Sequence, residues 1–314
     1  MKAFAIDEFG QRGSVQELPD PMPEKNEVVV RVEAAGVNVV DVWVMAGALK
    51  DMMEHRFPLI PGVEASGVVA AIGSEVNGFA EGDRIYGVSV KPFFGAGTFA
   101  EMATLTGDAI AHAPTAVELV EASGIPHTAL TALAAVEALG PLEGRKILVV
   151  GATGGVGTYL TQLAARNGAT VIASARTENL EFARSLGAAE TIDYTEGDLL
   201  DLARTRYPEG VDSLVDFFSD GPSLTRLSEA VRRGGMVLSA SGGADAEILS
   251  QRGLMAMNIN RASPTRLAEL AKLIDAGELK VAPINAFALE EASSAISEME
   301  SRHVRGKAVI QPTK

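Results

Sequence analysis

Cysteine is absent from this chain of 314 residues, which excludes disulfides and thiolate metal sites. Histidine is scarce: four residues, His55, His112, His127 and His303, lie far apart and fit no ligand spacing. Each therefore reads as a surface or packing residue. Positive charge is short as well. The 27 Lys and Arg stand against 41 Asp and Glu, a formal charge of −14, so a polyanion such as nucleic acid is an unfavourable partner and the acidity reads first as a solvated surface. No run of about 18 apolar residues occurs, so no membrane span is expected. The opening, 1–7, has neither a long apolar core nor a cleavage-like site, so no secretory signal is expected. A soluble cytoplasmic protein is the expectation.

What is present can bury a large core. The chain is 47% hydrophobic and 22% charged, and its length suggests two domains. The first 118 residues look β-rich, with short strands expected at 27–32 and 67–73 and a turn entering a strand at 81–87. Pro19, Pro21, Pro23, Pro58 and Pro61 punctuate this part, a pattern that suggests a small barrel or sandwich. A short helix is expected over 38–49.

From about 119 to 263 the pattern alternates. Helices are expected at 118–123, 129–137, 155–166, 178–186, 198–205 and 223–232, and strands at 146–150, 170–174, 191–193, 213–217, 236–240 and 254–259. Alternation of this kind specifies a parallel, doubly wound sheet. Gly168 and Gly187 stand where C-terminal helix stops belong, and Thr177 where an N-cap belongs. The tail carries helices expected at 264–274 and 290–298 and a strand at 306–310. His127 lies next to the expected junction of the two halves.

The stretch Lys146-Ile147-Leu148-Val149-Val150-Gly151-Ala152-Thr153-Gly154-Gly155-Val156-Gly157 organises the rest. Four consecutive apolar residues run into a glycine cluster and then a helix-periodic segment. A phosphate must touch main chain here, and a Cβ would hold it away. The first N–H groups of the helix and its dipole then favour the anion. The pattern departs from strict G-x-G-x-x-G, because Ala152 takes the place of the first glycine. A tight strand-to-helix connection without a ligand is the alternative. No acidic residue closes the second strand of this unit, where one would accept from a ribose 2′-hydroxyl. Ser174 and Arg176 stand there instead, a hydroxyl and a guanidinium that suit a 2′-phosphate. That points to NADPH, although Glu178 nearby argues mildly the other way.

The segments Ala34-Ala35-Gly36-Val37-Asn38-Val39-Val40-Asp41, Pro61-Gly62-Val63-Glu64-Ala65-Ser66-Gly67-Val68-Val69 and Val149 to Gln162 resemble the medium-chain dehydrogenase/reductases. Within them they resemble the zinc-independent quinone oxidoreductase, or zeta-crystallin-like, branch. Gly82-Asp83-Arg84-Ile85-Tyr86-Gly87, Leu130-Thr131-Ala132 and Gly306-Lys307-Ala308-Val309 extend the likeness over nearly the whole chain. The resemblance implies an α/β protein: a GroES-like β-rich catalytic domain, 1–118 and 264–314, and a Rossmann doubly wound domain, 119–263, with the cofactor in the cleft between them. It implies that Asn38 and Asp41 lie near the nicotinamide end and that Thr131 contacts the nicotinamide. Ala152, Thr153, Gly154, Gly155, Val156 and Gly157 would take the pyrophosphate. Tyr194 would lie near the adenosine phosphate, and Phe217 and Ser239 would complete the cofactor contacts. Trp43 stands where the family often has tyrosine, and with Tyr86, Phe93 and Phe94 it is a candidate apolar wall for the substrate; ordinary core packing is the alternative for each. A lysine common in the family near Asn179 is missing, which leaves more of the 2′-phosphate to Arg176.

The zinc-dependent alcohol dehydrogenases of this superfamily have cysteine where Asn38 stands and histidine where Val63 stands, and neither replacement is a useful zinc ligand. Without a Lewis acid, charge arising on oxygen must be held by hydrogen bonds and by the substrate's own conjugation. The expected activity is therefore NADPH-dependent, metal-free hydride transfer to quinones or α,β-unsaturated carbonyls. The alternatives are reduction of 2-enoyl thioesters or alkenals, and a non-catalytic NADPH-binding protein. Asp41 and Glu64 are potential acids, though hydrogen bonding to turns is the commoner use of such residues. A homodimer pairing through the last Rossmann strand is expected from the family.

Overall fold

The computed structural model describes residues 1–300 and 305–313, and the chain divides into two units, Met1–His127 with Ser263–Lys314, and Thr128–Ala262. His303 lies outside the described residues. The first unit opens with a hairpin of β1 (Lys2–Ala5) and β2 (Ser14–Glu17). The long strand β3 (Glu27–Gly36) leads into helix α1 (Val39–Met45), shorter than the expected 38–49. Then come β4 (Glu54–Ile60), β5 (Glu64–Ile72), β6 (Arg84–Val88), β7 (Phe93–Ala96), β8 (Met102–Thr106) and β9 (Ile110–His112). β3 pairs antiparallel with both β5 and β8, and β4 with β7 forms a separate parallel ribbon. Apolar residues on alternate positions of β3, β5 and β6 supply Val28, Val30, Val69 and Ile85 to one buried cluster, as a half-buried sheet requires.

Helix α2 (Leu119–Ala122) follows. The sequence assigned 119–127 to the alternating half, but the structure places these residues with the first unit. The Ser66 hydroxyl donates to the Leu119 carbonyl, and the His127 N–H donates to Glu64 at 2.7 Å. These ties join residues far apart in the chain, which local pattern does not register.

Helix α3 (Pro126–Leu139) begins in the first unit and runs into the second. The second unit then alternates β10 (Lys146–Val150), α4 (Gly155–Arg166), β11 (Thr170–Ala175), α5 (Leu180–Ser185), β12 (Glu190–Asp193), α6 (Leu199–Arg206), β13 (Val211–Asp216), α7 (Gly221–Leu227), β14 (Val231–Ser239), α8 (Ala246–Gln251) and β15 (Met255–Asn258). All six strands are parallel, in the order β12-β11-β10-β13-β14-β15. Renumbered within the unit this is 3-2-1-4-5-6, the doubly wound order that binds ligands at the carboxyl ends where the order reverses, beside β10. Leu148, Ile172, Leu214 and Val237 from the central strands are fully buried in its core.

Gly168 and Gly187 follow α4 and α5 with φ of 83° and 100°, as helix-ending glycines do. Three local expectations fail. The helix expected over 223–232 ends at Leu227, and Val231 already belongs to β14, because the chain turns through a single 3-10 turn at Ser228–Ala230. Thr177 is not the cap of α5: its hydroxyl donates to Asp193 at 2.5 Å, and Asn179 holds the cap position. Helix α8, capped by Asp245, forms where no helix was expected.

The chain returns to the first unit through α9 (Leu267–Asp275), β16 (Ile284–Ala288), α10 (Ala292–Glu300) and β17 (Lys307–Gln311). β17 pairs parallel with β16 and antiparallel with β3, which completes the sheet and sets Val309 opposite Gly36. Among the described residues no helix is long and apolar enough to cross a membrane.

Candidate functional site

The phosphate-type turn of the second unit is built from β10 outward. Four buried residues of β10 deliver the chain to Gly151, which sits at φ 78°, a conformation that strains any residue with a Cβ. Gly154 is the N-cap of α4, a helix of 12 residues, and brings no side-chain cap to its first N–H groups. Gly157 lets the helix press onto the turn: a Cβ there would come within 2.6 Å of the Ala152 Cα. Thr153, Gly154, Gly155 and Val156 keep partial exposure, while Ala152 and Gly157 are buried. An anion placed here would meet main-chain amides, and these residues fit the pyrophosphate of a dinucleotide.

β11 ends beside this turn. Ser174 is 2% exposed and its hydroxyl has no hydrogen-bond partner, an arrangement that costs free energy unless a ligand completes it. Arg176 donates through Nε to the Tyr194 hydroxyl at 3.3 Å, and Tyr194 is exposed. The nearest carboxylate in sheet register is one the sequence reading missed. Asp193 lies opposite Ala175 and accepts from Thr177 Oγ1 at 2.5 Å, Thr195 N at 2.9 Å and Thr195 Oγ1 at 2.6 Å. Those hydroxyls hold its carboxyl below the ordinary range, and they turn it into its own loop. Phe217 follows β13, its N–H donating to the Val150 carbonyl at 3.3 Å. Ser239, at the end of β14, is fully buried and engages Ser241 Oγ at 3.0 Å and the Gly243 N–H at 3.2 Å, so it braces its own turn. Asp216, also missed, does the same for the turn after β13 through Phe218 N and Ser219 N, both at 2.7 Å. Thr131 lies on α3 of this unit and is 6% exposed.

The first unit holds a second polar centre, at the end of β3. Asn38 caps α1 and is 5% exposed. Its N–H donates to Asp41 Oδ2 at 2.7 Å, and the other oxygen of Asp41 accepts from Gly62 N at 3.1 Å. Asp41 thus ties the start of α1 to the Pro61-Gly62 turn. Burial pushes its carboxyl up to about 7, against the Asn38 N–H, the Lys307 charge and the Gly62 N–H, with the charge of Glu64 adding to the rise. Lys307 at the start of β17 is 2% exposed; its ammonium lies 2.8 Å from Glu64 Oε1 and donates to Asn38 Oδ1 at 2.5 Å. Burial opposes ionisation of Glu64, but the charges of Lys307 and His127 and the N–H groups on it prevail and hold it below the usual carboxylate range.

Of the residues the sequence singled out in this unit, Asn38, Asp41 and Glu64 come together. Tyr86 does not join them: it is fully buried and its hydroxyl donates to the Leu267 carbonyl at 2.6 Å, a core position rather than a substrate wall. Trp43 is half-buried on α1, and Phe93 and Phe94 are half-buried on β7. His55 accepts a place between aromatic rings, 5.1 Å from Phe9 and 5.2 Å from Phe94 between centroids. Among the described residues no group of three or more His, Cys, Asp or Glu could hold a metal ion. Lys307 was missed, because a lysine opening an apolar strand reads as a solvated end.

Comparison with known families and structures agrees with this two-part layout. Residues 24–115 match the model described as the alcohol dehydrogenase GroES-like domain, and residues 186–310 the model described as zinc-binding dehydrogenase. A chloroplast envelope quinone oxidoreductase homolog of Arabidopsis thaliana is 31% identical, over 94% of this chain and 93% of its own length. An NADPH-dependent alkenal/one oxidoreductase of the same plant, chloroplastic, is 29% identical over 99% of this chain and 80% of its own. A crystal structure of an NAD-dependent alcohol dehydrogenase superposes with a TM-score of 0.88 at 30% identity, covering 99% of this chain and 100% of that one.

Proposed function

The chain belongs to the quinone oxidoreductase branch of the medium-chain dehydrogenases/reductases, and we propose that it is an NADPH-dependent, zinc-free reductase of quinones and α,β-unsaturated carbonyls. It is an oxidoreductase that takes a nicotinamide cofactor. The observation that carries the choice of NADPH is the end of β11, where the buried Ser174 hydroxyl lacks a partner and Arg176 stands next but one. A 2′-phosphate would give that hydroxyl an acceptor and meet the guanidinium, whereas Asp193 is already engaged with Thr177 and Thr195 and is not offered to a ribose hydroxyl.

Electrostatics support the zinc-free half of the proposal. The Lys307 ammonium donates to Asn38 Oδ1, so a divalent cation beside Asn38 would face a buried like charge. With no Lewis acid, the substrate must spread incoming charge through its own conjugation, which quinones and enones do. Bound NADPH would supply the hydride. The second unit's part would be to hold the pyrophosphate on the amides that follow Gly151, and Thr131 is its candidate contact to the nicotinamide; in the first unit Asn38 is the candidate polar contact to a reactant, and Trp43, Phe93 and Phe94 are candidate apolar surface. Positioning of this kind is effective when the reacting atoms are held about 3–3.5 Å apart.

The alkenal/one oxidoreductase relative favours a second reading, in which alkenals are the preferred acceptors; enoyl thioesters are a further alternative. NADPH oxidation measured against quinones, enones and enoyl thioesters, with and without a chelator, separates the two. Turnover with quinones or enones that survives chelation is the expected result, and tight NADPH binding without oxidation by any acceptor would make the protein a cofactor carrier instead. A homodimer through β15, an edge strand with Met255 and Met257 exposed, and a cytoplasmic location belong to the same proposal. Light scattering at micromolar concentration and cell fractionation test them.

A further inference from the structure

The polar centre at the end of β3 is fitted into the fold on both sides. A Cβ on Gly36 would fall 2.7 Å from Glu64 Cδ, and one on Gly124 would fall 2.9 Å from Lys307 Cγ. Two glycines from separate segments therefore make room for the carboxylate and for the lysine stem. Burying an ion pair is not a cheap way to hold two strands together, since apolar residues of similar volume do so at least as well. The arrangement asks for a further reason.

Donor and acceptor rules supply one. An ammonium only donates, so the Asn38 atom facing Lys307 is Oδ1; an ionised carboxylate only accepts, so the atom facing Glu64 is Nδ2. Both protons of Nδ2 are then taken, one by Glu64 Oε1 at 2.8 Å and one by the Gly36 carbonyl at 3.3 Å. Oδ1 keeps one lone pair beyond the bond from Lys307.

We propose that Lys307 is a positioning residue: with Glu64 it locks the Asn38 amide in one orientation, so that Asn38 meets a bound reactant only as a hydrogen-bond acceptor. The group it takes is a donor, such as a hydroxyl or a carboxamide NH2, and it is not the donor that steadies an oxyanion. The kinetic part of the test rests on the reductase reading; the spectroscopic part rests on the fold alone.

Because the chain has no cysteine, Lys307→Cys introduces a single thiol. Alkylation with 2-bromoethylamine in denaturant, followed by refolding, restores an ammonium at nearly lysine length; alkylation with a propyl halide restores the length without the charge. In protein labelled with 15N-asparagine, the Asn38 side-chain amide signal is identified by its loss in Asn38→Asp. It is expected to exchange slowly in the wild type and the aminoethyl form, and at least about tenfold faster in the propyl form. With a quinone acceptor, kcat is expected to fall roughly 10- to 100-fold in the propyl form and to return to within about threefold in the aminoethyl form. The quinone KM and the NADPH Kd, read by fluorescence, stay within about threefold. Should the propyl form not refold, Lys307→Met with Glu64→Gln removes both charges at once and is read in the same way. A charge-free form with a slowly exchanging Asn38 amide and wild-type kcat overturns the proposal, as does a folded aminoethyl form that recovers neither. Slow exchange in a wild type that reduces no acceptor would instead sink the reductase reading and leave the orientation lock standing.

Discussion

Asp41 makes stability fall as pH rises through neutrality. Its carboxyl titrates near 3.8 in an unfolded chain and is pushed up to about 7 by burial in the folded one. Between those values the folded state binds more protons than the unfolded state, so the contribution is fully present below pH 4 and is lost as pH rises through 7. At about 1.36 kcal/mol per pH unit the whole effect is roughly 4 kcal/mol, of which about 3 kcal/mol falls between pH 5 and pH 8. The depressed carboxyls Glu54, Glu64, Asp193, Asp198, Asp212 and Glu269 act in the opposite sense, and their stabilisation disappears only as pH falls into the acid range. Asp41→Asn removes the titration. It also leaves one of two N–H groups, Asn38 or Gly62, without an acceptor, a pH-independent loss of about 1–3 kcal/mol. The assay is urea unfolding at pH 5, 6.5 and 8, followed by the fluorescence of Trp43, the sole tryptophan, two positions along α1 from Asp41. The wild type should lose stability across this series while Asp41→Asn stays level, so that the two curves converge or cross above neutrality. Equal slopes in the two proteins would show that Asp41 is not the group that titrates near neutrality.

Other perturbations act on single contacts. Gly157→Ala forces a Cβ against Ala152 and the Gly151 carbonyl, backbone that cannot yield; a destabilisation of roughly 1–3 kcal/mol and weaker NADPH binding by fluorescence titration are expected. Arg176→Glu should raise the KM for NADPH at least about tenfold while leaving that for NADH within about twofold, as steady-state assays with each cofactor would show. Tyr86→Phe removes the bond to the Leu267 carbonyl and should lower thermal stability by about 1–2 kcal/mol without changing the acceptor KM.

How much of this was legible in the sequence depended on the range of the interactions. β10 and α4 appear at the expected residues, Lys146–Val150 and Gly155–Arg166, because an apolar run, a glycine turn and a helical period all agree there. The limits of α7 and β14 did not, since a 3-10 turn at Ser228–Ala230 carries no punctuation in the sequence. Thr177 looked like a cap because Ser and Thr before a helix usually are; a carboxylate 16 positions away claimed its hydroxyl. The resemblance marked Asn38 and Asp41, and the acidity of Glu64 drew attention to it, but their common partner Lys307 is 269 positions from Asn38. No local pattern records a contact of that length. It also took sheet pairing to bring Asp193 beside the end of β11 and a folded core to show that Tyr86 is packing.

If a dinucleotide is held on bare amides with its extra phosphate read by Ser174 and Arg176, kcat/KM for NADPH and for NADH with one quinone acceptor in the presence of a chelator will show it. NADPH is expected to be favoured by at least about tenfold, near 1.4 kcal/mol, with no loss on chelation. Equal or better use of NADH, or activity that disappears with the metal, would mean that these residues do not read the cofactor in this way.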